Sequence, residues 1–218
     1  MRLLSSGSFA DVYLAEHIHL GYPVAVKFLH ADLGKFENQF SDEARLVARL
    51  QHPNIIRLMD FGIGTSPYIV MEYAAGGTLR GMYPRGAVAS LPLIARYVEQ
   101  IASALQYVHD LRFIHRDIKL DNILLRADDN VALSDFGIVA VMRTMQTHAS
   151  QDFQGTLAYS APEQLGNRPS PASDQYSLGV VVYELLSGQL PFPGPNMQAL
   201  VYQHLYEQPR PLRELVYD

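Results

Sequence analysis

The stretch His115-Arg116-Asp117-Ile118-Lys119-Leu120-Asp121-Asn122 sets a carboxylate, an ammonium and an amide within six positions, Asp117 to Asn122. A little further on, Asp135-Phe136-Gly137 adds a second carboxylate beside a glycine. Between them lie the apolar run Ile123-Leu124-Leu125, the turn-like Ala127-Asp128-Asp129-Asn130, and Val131-Ala132-Leu133. This pattern predicts a hairpin of two short buried strands with acidic groups at both ends. Two fixed carboxylates and an asparagine, close in space, suit the holding of a divalent cation against a phosphate.

Other elements must position these groups. Residues 1–30 predict strands, with Phe9–Ala15 and Pro23–Leu29 joined through Gly21-Tyr22-Pro23. Ahead of them runs the small loop Ser5-Ser6-Gly7-Ser8-Phe9-Ala10. Loops of this composition let backbone N–H groups approach phosphate oxygens. A helix is predicted over Phe36–Leu50, with Phe40, Leu46, Val47 and Leu50 as its apolar stripe and Glu43 facing inward. Pro53 ends it, and two further strands follow over Ile55–Met59 and Tyr68–Tyr73. Leu91–Leu111 is the clearest helix: Ile94, Val98, Ile101, Leu105 and Val108 recur at helical spacing. His109 near its end reads as a surface or capping residue. A second apolar helix is expected from Ser173, its cap, to Gly188, its stop, and another begins over Met197–Tyr206.

Composition narrows the class. The chain has 218 residues, 48% hydrophobic and 18% charged, enough for a sizeable core in two lobes and against disorder. A net charge of −5 disfavours nucleic acid as a partner. Without cysteine there is no disulfide framework or thiolate metal site, which is compatible with the cytoplasm. The most apolar long stretch, Leu178–Leu186, is broken by Glu184 and too short to span a bilayer. The start of the chain lacks the sustained apolar region of a signal peptide.

The ordered string H-R-D-I-K-L-D-N followed by D-F-G resembles the eukaryotic-like (Hanks-type) serine/threonine protein kinases. The wording I-V-M-E-Y, D-I-K and A-P-E-Q resembles the bacterial members. The resemblance implies an α+β, two-lobed fold: a small antiparallel-sheet N-lobe with one helix over residues 1–75, and a larger, mostly helical C-lobe over 76–218. It implies ATP and Mg²⁺ (or Mn²⁺) as cofactors and Ser/Thr hydroxyls of proteins as acceptors. By that pattern Asp117 handles the hydroxyl proton and Lys119 neutralises charge at the γ-phosphate, while Asn122 and Asp135 hold Mg²⁺. Lys27, ending V-A-V-K, contacts the α and β phosphates and is held by Glu43. Gly7, Val12, Ala25, Met71, Glu72, Ala74 and Leu124 complete the nucleotide site, Met71 guarding its back and Glu72 and Ala74 offering backbone groups to adenine.

The resemblance further implies that Thr156 lies near Asp117 and Lys119, and that Asp174 binds backbone N–H groups of the loop His115–Asn122. It also implies that Arg116 receives a phosphate from Thr144, Thr147 or Ser150, added by autophosphorylation, for which the chain would pair as a homodimer. Two departures are visible. Only Gly7 of the three loop glycines is kept, with Ser5 and Ala10 in the other places. After Leu212 no convincing arginine follows to pair with Glu163, so the C-lobe is expected to be incomplete and Glu163 buried without a partner. These departures support a second expectation, a pseudokinase or nucleotide-binding scaffold. A small-molecule kinase of related fold is disfavoured by the full segment through Ala161-Pro162-Glu163.

Overall fold

The structure is a computed structural model that describes residues 1–7, 10–30, 33–64, 66–136 and 155–215. Its first part is an antiparallel sheet of five strands: β1 (Arg2–Ser6), β2 (Ala10–Glu16), β3 (Pro23–Leu29), β4 (Leu58–Gly62) and β5 (Tyr68–Glu72), in the order β1-β2-β3-β5-β4. The register pairs Val12 with Lys27, Leu14 with Ala25 and Ala25 with Met71. Directly paired residues share a face, and so do residues two apart. Val12, Ala25, Lys27 and Met71 therefore point the same way, toward the second lobe.

Helix α1 (Glu37–Ala48) packs on this sheet, with Phe40 edge-on to Phe61 at 6.0 Å. Its buried residues are Phe40, Ser41, Ala44 and Val47. Leu46, expected in the stripe, is 51% exposed instead. Successive helical residues are turned by about 100°, so Val47 facing inward carries Leu46 outward. The strand expected over Ile55–Met59 begins only at Leu58. Residues 54–56 instead pair with the far hairpin: Ile56 N–H donates to Leu133 O at 2.8 Å and Leu133 N–H to Asn54 O at 2.9 Å.

The second lobe is mostly helical. Helix α2 (Leu79–Met82) is capped by Thr78, whose Oγ1 accepts from Gly81 N–H at 3.0 Å. Helix α3 (Leu91–Asp110) buries Ile94, Tyr97, Ile101, Ala104, Leu105 and Val108, with Val98 at the edge of the core. Strands β6 (Ile123–Leu125) and β7 (Val131–Leu133) form the expected hairpin. Then come α4 (Pro162–Leu165), α5 (Pro171–Ser187) and α6 (Met197–Tyr206). Burying each large aliphatic side chain of α3 contributes about 1.5–3 kcal/mol, ahead of the entropy cost.

The cap of helix α5 lies three residues before the expected one. Ser170 is the N-cap and Ser173 the third helical residue; each side chain bonds the other's backbone in a capping box, with Pro171 first in the helix. Glu163 also corrects an expectation. It is half-buried and partnered, its Oε1 accepting from Ser173 Oγ at 2.5 Å. A neighbouring helix thus supplies a hydrogen bond to a carboxylate that was expected to have no partner.

Candidate active site

The loop His115–Asn122 is held from below by α5. Asp174, 1% exposed, accepts from the backbone N–H of His115 through Oδ2 and of Arg116 through Oδ1, both at 2.8 Å. His109 Nε2 lies 2.8 Å from Asp174 Oδ2 with its side chain 16% exposed, so it belongs to this buried network and not to the surface. Arg116 has φ 68°, a left-handed conformation that turns both N–H groups toward one carboxylate. His115 is buried, with Nε2 donating to Ser134 O at 2.9 Å and Nδ1 accepting from Asp117 N–H at 3.3 Å. One donor and one acceptor define a neutral imidazole, and burial holds its pKa below the ordinary histidine value. Its ring packs against Phe136 at 4.4 Å, tying the loop to the Asp135 segment.

Above this base the polar groups converge. Lys119 Nζ lies 3.3 Å from Asp117 Oδ2 and donates to Thr156 Oγ1 at 3.0 Å. Asn122 Nδ2 donates to Asp117 O at 2.8 Å and to Asp117 Oδ2 at 2.7 Å. The carboxylate of Asp117 is thereby aimed, while the amide oxygen of Asn122 remains to offer a cation. Asp135, at φ 64°, presents its carboxylate from the other side of the cleft. Its Oδ1 is 2.6 Å from Lys27 Nζ, in a pair 24% and 14% exposed.

That contact corrects the expected pairing of Lys27 with Glu43. Glu43, half-buried on α1, has an Oε2 atom without a hydrogen-bond partner. Desolvation holds its carboxyl above the ordinary glutamate pKa, and the positive charge of Arg116 partly offsets this. Glu43 thus sits in the field of the loop arginine, while Lys27 takes the carboxylate facing it across the cleft.

Between the lobes lies a cavity of about 350 Å³. Val12, Ala25, Lys27, Met71, Glu72, Ala74, Leu124 and Asp135 line it, as do Leu4, Ser5, Tyr73, Thr78, Asp121 and Ser134. Apolar Leu4, Val12, Ala25, Met71 and Leu124 share its walls with the charged Lys27 and Asp135. Gly7, Glu43, Asp117 and Asn122 are not among its walls. Gly7 N–H donates to Ala10 O at 3.0 Å across its own turn. A larger groove, about 600 Å³, runs along His17, Tyr22, Val24, Met59 and Val70. Val24 and Val70 alternate with Ala25 and Met71, so this groove is on the opposite face of the sheet, away from the converging carboxylates.

The donor set suits a hard divalent cation. Asp135 and Asn122 offer carboxylate and amide oxygens, which Mg²⁺ prefers. Among the described residues no three His, Cys, Asp or Glu side chains form a self-sufficient metal site. Two protein ligands fit a cation that completes its shell with phosphate oxygens and water.

The model of the protein kinase domain matches residues 1–214. The chain belongs to the protein kinase domain family. It is 38% identical over 221 residues to the serine/threonine-protein kinase PknA of Mycobacterium tuberculosis, covering 97% of this chain and 51% of PknA. Identity to the serine/threonine-protein kinase PrkC of Bacillus subtilis is 36% over 210 residues, 94% of this chain and 32% of PrkC. A crystal structure of Rad53 1-466 in complex with AMP-PNP superposes with a TM-score of 0.77 at 33% identity, covering 93% of this chain and 51% of that one. The chain spans from about a third to half of the length of these relatives.

Within this kinase fold, several site residues escaped sequence reasoning. Leu4 and Ser5 line the cavity because β1 runs through Ser6, so Ser5 is strand and not loop. Asp121, given no role above, lies on the cavity wall with Oδ2 3.8 Å from Arg80 Nε. Arg80 itself carried no local signal. Thr144, Thr147 and Ser150, singled out as phosphate acceptors, lie outside the described residues.

Proposed function

We propose that this chain transfers the γ-phosphate of ATP to serine or threonine hydroxyls of proteins. The observation that carries the reading is the chain of contacts Thr156–Lys119–Asp117–Asn122, at 3.0, 3.3 and 2.7 Å, together with the Lys27–Asp135 pair that lines the cavity between the lobes. In this reading Asp117 orients the acceptor hydroxyl and receives its proton as the hydroxyl oxygen bonds the γ-phosphorus and the bond from that phosphorus to the β-phosphate oxygen breaks, releasing ADP. Lys119 neutralises charge on the transferred group, and Lys27 holds the α and β phosphates. Asn122 and Asp135 would hold Mg²⁺, or Mn²⁺ in its place, which supplies electrostatic stabilisation of the phosphates. Val12, Ala25 and Leu124 sandwich the base, Met71 guards the back of the pocket, and the backbone of Glu72 and Ala74 reads the base's edge. Such a reaction needs positioning and charge stabilisation more than covalent catalysis.

The test is incorporation of labelled phosphate from ATP and Mg²⁺ into a generic Ser/Thr protein substrate. Asp117→Asn is expected to lower kcat by about 10²- to 10⁴-fold. Equal labelling by the variant and the parent would refute the assignment. The second reading, a nucleotide-binding scaffold with little turnover, draws on one observation: the Gly7 N–H is engaged by Ala10 O, where a phosphate-binding loop leaves it free. ATP binding without transfer by the parent would favour it.

The division between lobes is placed at Ala75, between β5 and α2. The reading includes autophosphorylation at Thr144, Thr147 or Ser150 within pairs of chains; the exposed Arg116 in the active loop supports it as a cation that could receive the phosphate. Mass spectrometry after incubation with ATP and Mg²⁺ is expected to find phosphate there. Full activity without it would remove that part of the proposal. A cytoplasmic setting accords with the absence of cysteine, and among the described residues no helix is long and apolar enough to cross a membrane.

A further inference from the structure

Arg126 follows the last residue of β6, and every nitrogen of its guanidinium is engaged. Nε donates to Glu72 Oε1 and Nη2 to Glu72 Oε2, both at 2.9 Å, in a bidentate pair. Nη2 also reaches Ile55 O at 3.2 Å, and Nη1 donates to Pro53 O. One side chain from the second lobe thus grips the end of β5 and the loop leading to β4. The pair is only partly exposed, 21% at Arg126 and 36% at Glu72.

The backbone of the same strand grips the connection on the other side. Gly76 N–H donates to Leu125 O at 2.9 Å and Leu125 N–H to Gly77 O at 2.8 Å. A Cβ on Gly76 would meet Leu125 O at 2.6 Å, so the two backbones are in close contact. The stretch from Glu72 to Gly77 is therefore tied at both ends to one short strand, through a side chain at Glu72 and through the backbone at Gly76 and Gly77. Between the ties lie Tyr73, Ala74 and Ala75, which line the cavity between the lobes.

We infer that Arg126 is a positioning residue for the nucleotide: by clamping Glu72 it holds the connecting segment, and with it the backbone groups that face the base, at a fixed place against β6. It touches none of the reacting groups around Asp117. Its loss should therefore weaken nucleotide binding and leave phosphoryl transfer within the bound complex unchanged. The kinetic part of this inference rests on the proposed ATP-dependent activity; the structural part does not.

The test uses the whole chain with Arg126→Ala, Arg126→Lys, Glu72→Ala and the double alanine variant. Arg126→Ala is expected to raise KM for ATP about five- to tenfold, the effect of losing a charge-assisted pair. Its kcat and its KM for the protein substrate should stay within about twofold of the parent. Arg126→Lys should recover part of the loss, because an ammonium cannot bond both carboxylate oxygens in the plane. Glu72→Ala should match Arg126→Ala, with the double variant no worse than either. Hydrogen exchange of the amides of residues 72–77, measured without nucleotide, should speed up at least about tenfold in Arg126→Ala.

Unchanged exchange and unchanged KM would overturn the inference. So would a fall in kcat with KM constant, which would mark Arg126 as general scaffold. If the parent neither binds ADP nor uses ATP, yet exchange at 72–77 still responds to Arg126, the clamp stands and the functional reading falls. If the parent uses ATP and neither readout responds, the clamp alone falls.

Discussion

At the scale of single residues, Asp117 is oriented within its own loop by Asn122 and Lys119, while Lys119 also reaches Thr156, 37 positions away. Asp117 and Lys119 are two apart and were legible as a pair, because a dense local motif carries them. Arg80 was not legible. Its Nη2 lies 2.8 Å from Glu184 Oε1 and it donates to Tyr159 Oη at 2.6 Å, partners 104 and 79 positions away. Glu184 is buried, with 4% of its side chain exposed, and also accepts from the Tyr159 hydroxyl. Burial and the adjoining carboxylate push the Tyr159 pKa up, so the phenol stays a donor. Arg80→Ala would leave a buried carboxylate with the phenol alone, and is expected to cost about 2–4 kcal/mol in urea unfolding. Adding Glu184→Gln to that variant should restore part of the loss, since the charge is then gone. A double variant less stable than Arg80→Ala would contradict the account.

At the scale of elements, helix periodicity was read correctly in outline and missed at the ends. The interior of α3 was legible because its apolar spacing repeats from Ile94 to Val108, about four turns. The start of α5 was not, since two serines compete as caps in Ser170-Pro171-Ala172-Ser173 and only the packed structure selects Ser170. Two glycines of α5 make a paired prediction. Gly188 ends the helix at φ 72°, and a Cβ there would lie 2.8 Å from Gly86 O. Gly188→Ala should lower stability by about 2 kcal/mol, or Tm by about 4–8 °C. Gly179 is exposed in the middle of the same helix, and an added Cβ meets nothing within 4 Å. Gly179→Ala should raise stability by about 0.5–1 kcal/mol. Calorimetric melts of the two variants shifting in the same direction would refute this reading of the helix.

At the scale of the whole molecule, the lobes meet through the β6–β7 hairpin, which binds residues 54–56 on one side and Gly76–Thr78 on the other. Further down, α6 is locked to the body by His204. This residue is 6% exposed, its Nδ1 is hydrogen-bonded to the Tyr176 hydroxyl at 2.7 Å, and its ring meets Phe192 at 4.8 Å. Desolvation lowers its pKa to about 4. The folded protein therefore binds fewer protons here than the unfolded chain between about pH 6.5 and 4. The contribution is complete above pH 6.5 and is lost as pH falls toward 4. Allowing for solvent reaching part of the ring, it amounts to about 2 kcal/mol. Against His204→Gln, the parent's extra stability near pH 7.5 should shrink by that amount at pH 4.5. A constant difference across that range, in urea unfolding, would show that His204 does not titrate as its burial requires.

The sequence by itself determined what depends on neighbours along the chain. The catalytic-type motif, the hairpin after it and the interior periodicity of α3 are patterns within a few turns or one strand pair, where side-chain type and backbone geometry are coupled directly. The tertiary structure alone decided which charges meet. Lys27 faces Asp135, 108 positions away, while Glu43 stands in the field of Arg116. Glu163 takes Ser173, and Arg126 reaches back to Glu72. Charge attraction acts at a few ångströms and carries no sequence period, so such partners emerge only once the lobes are packed.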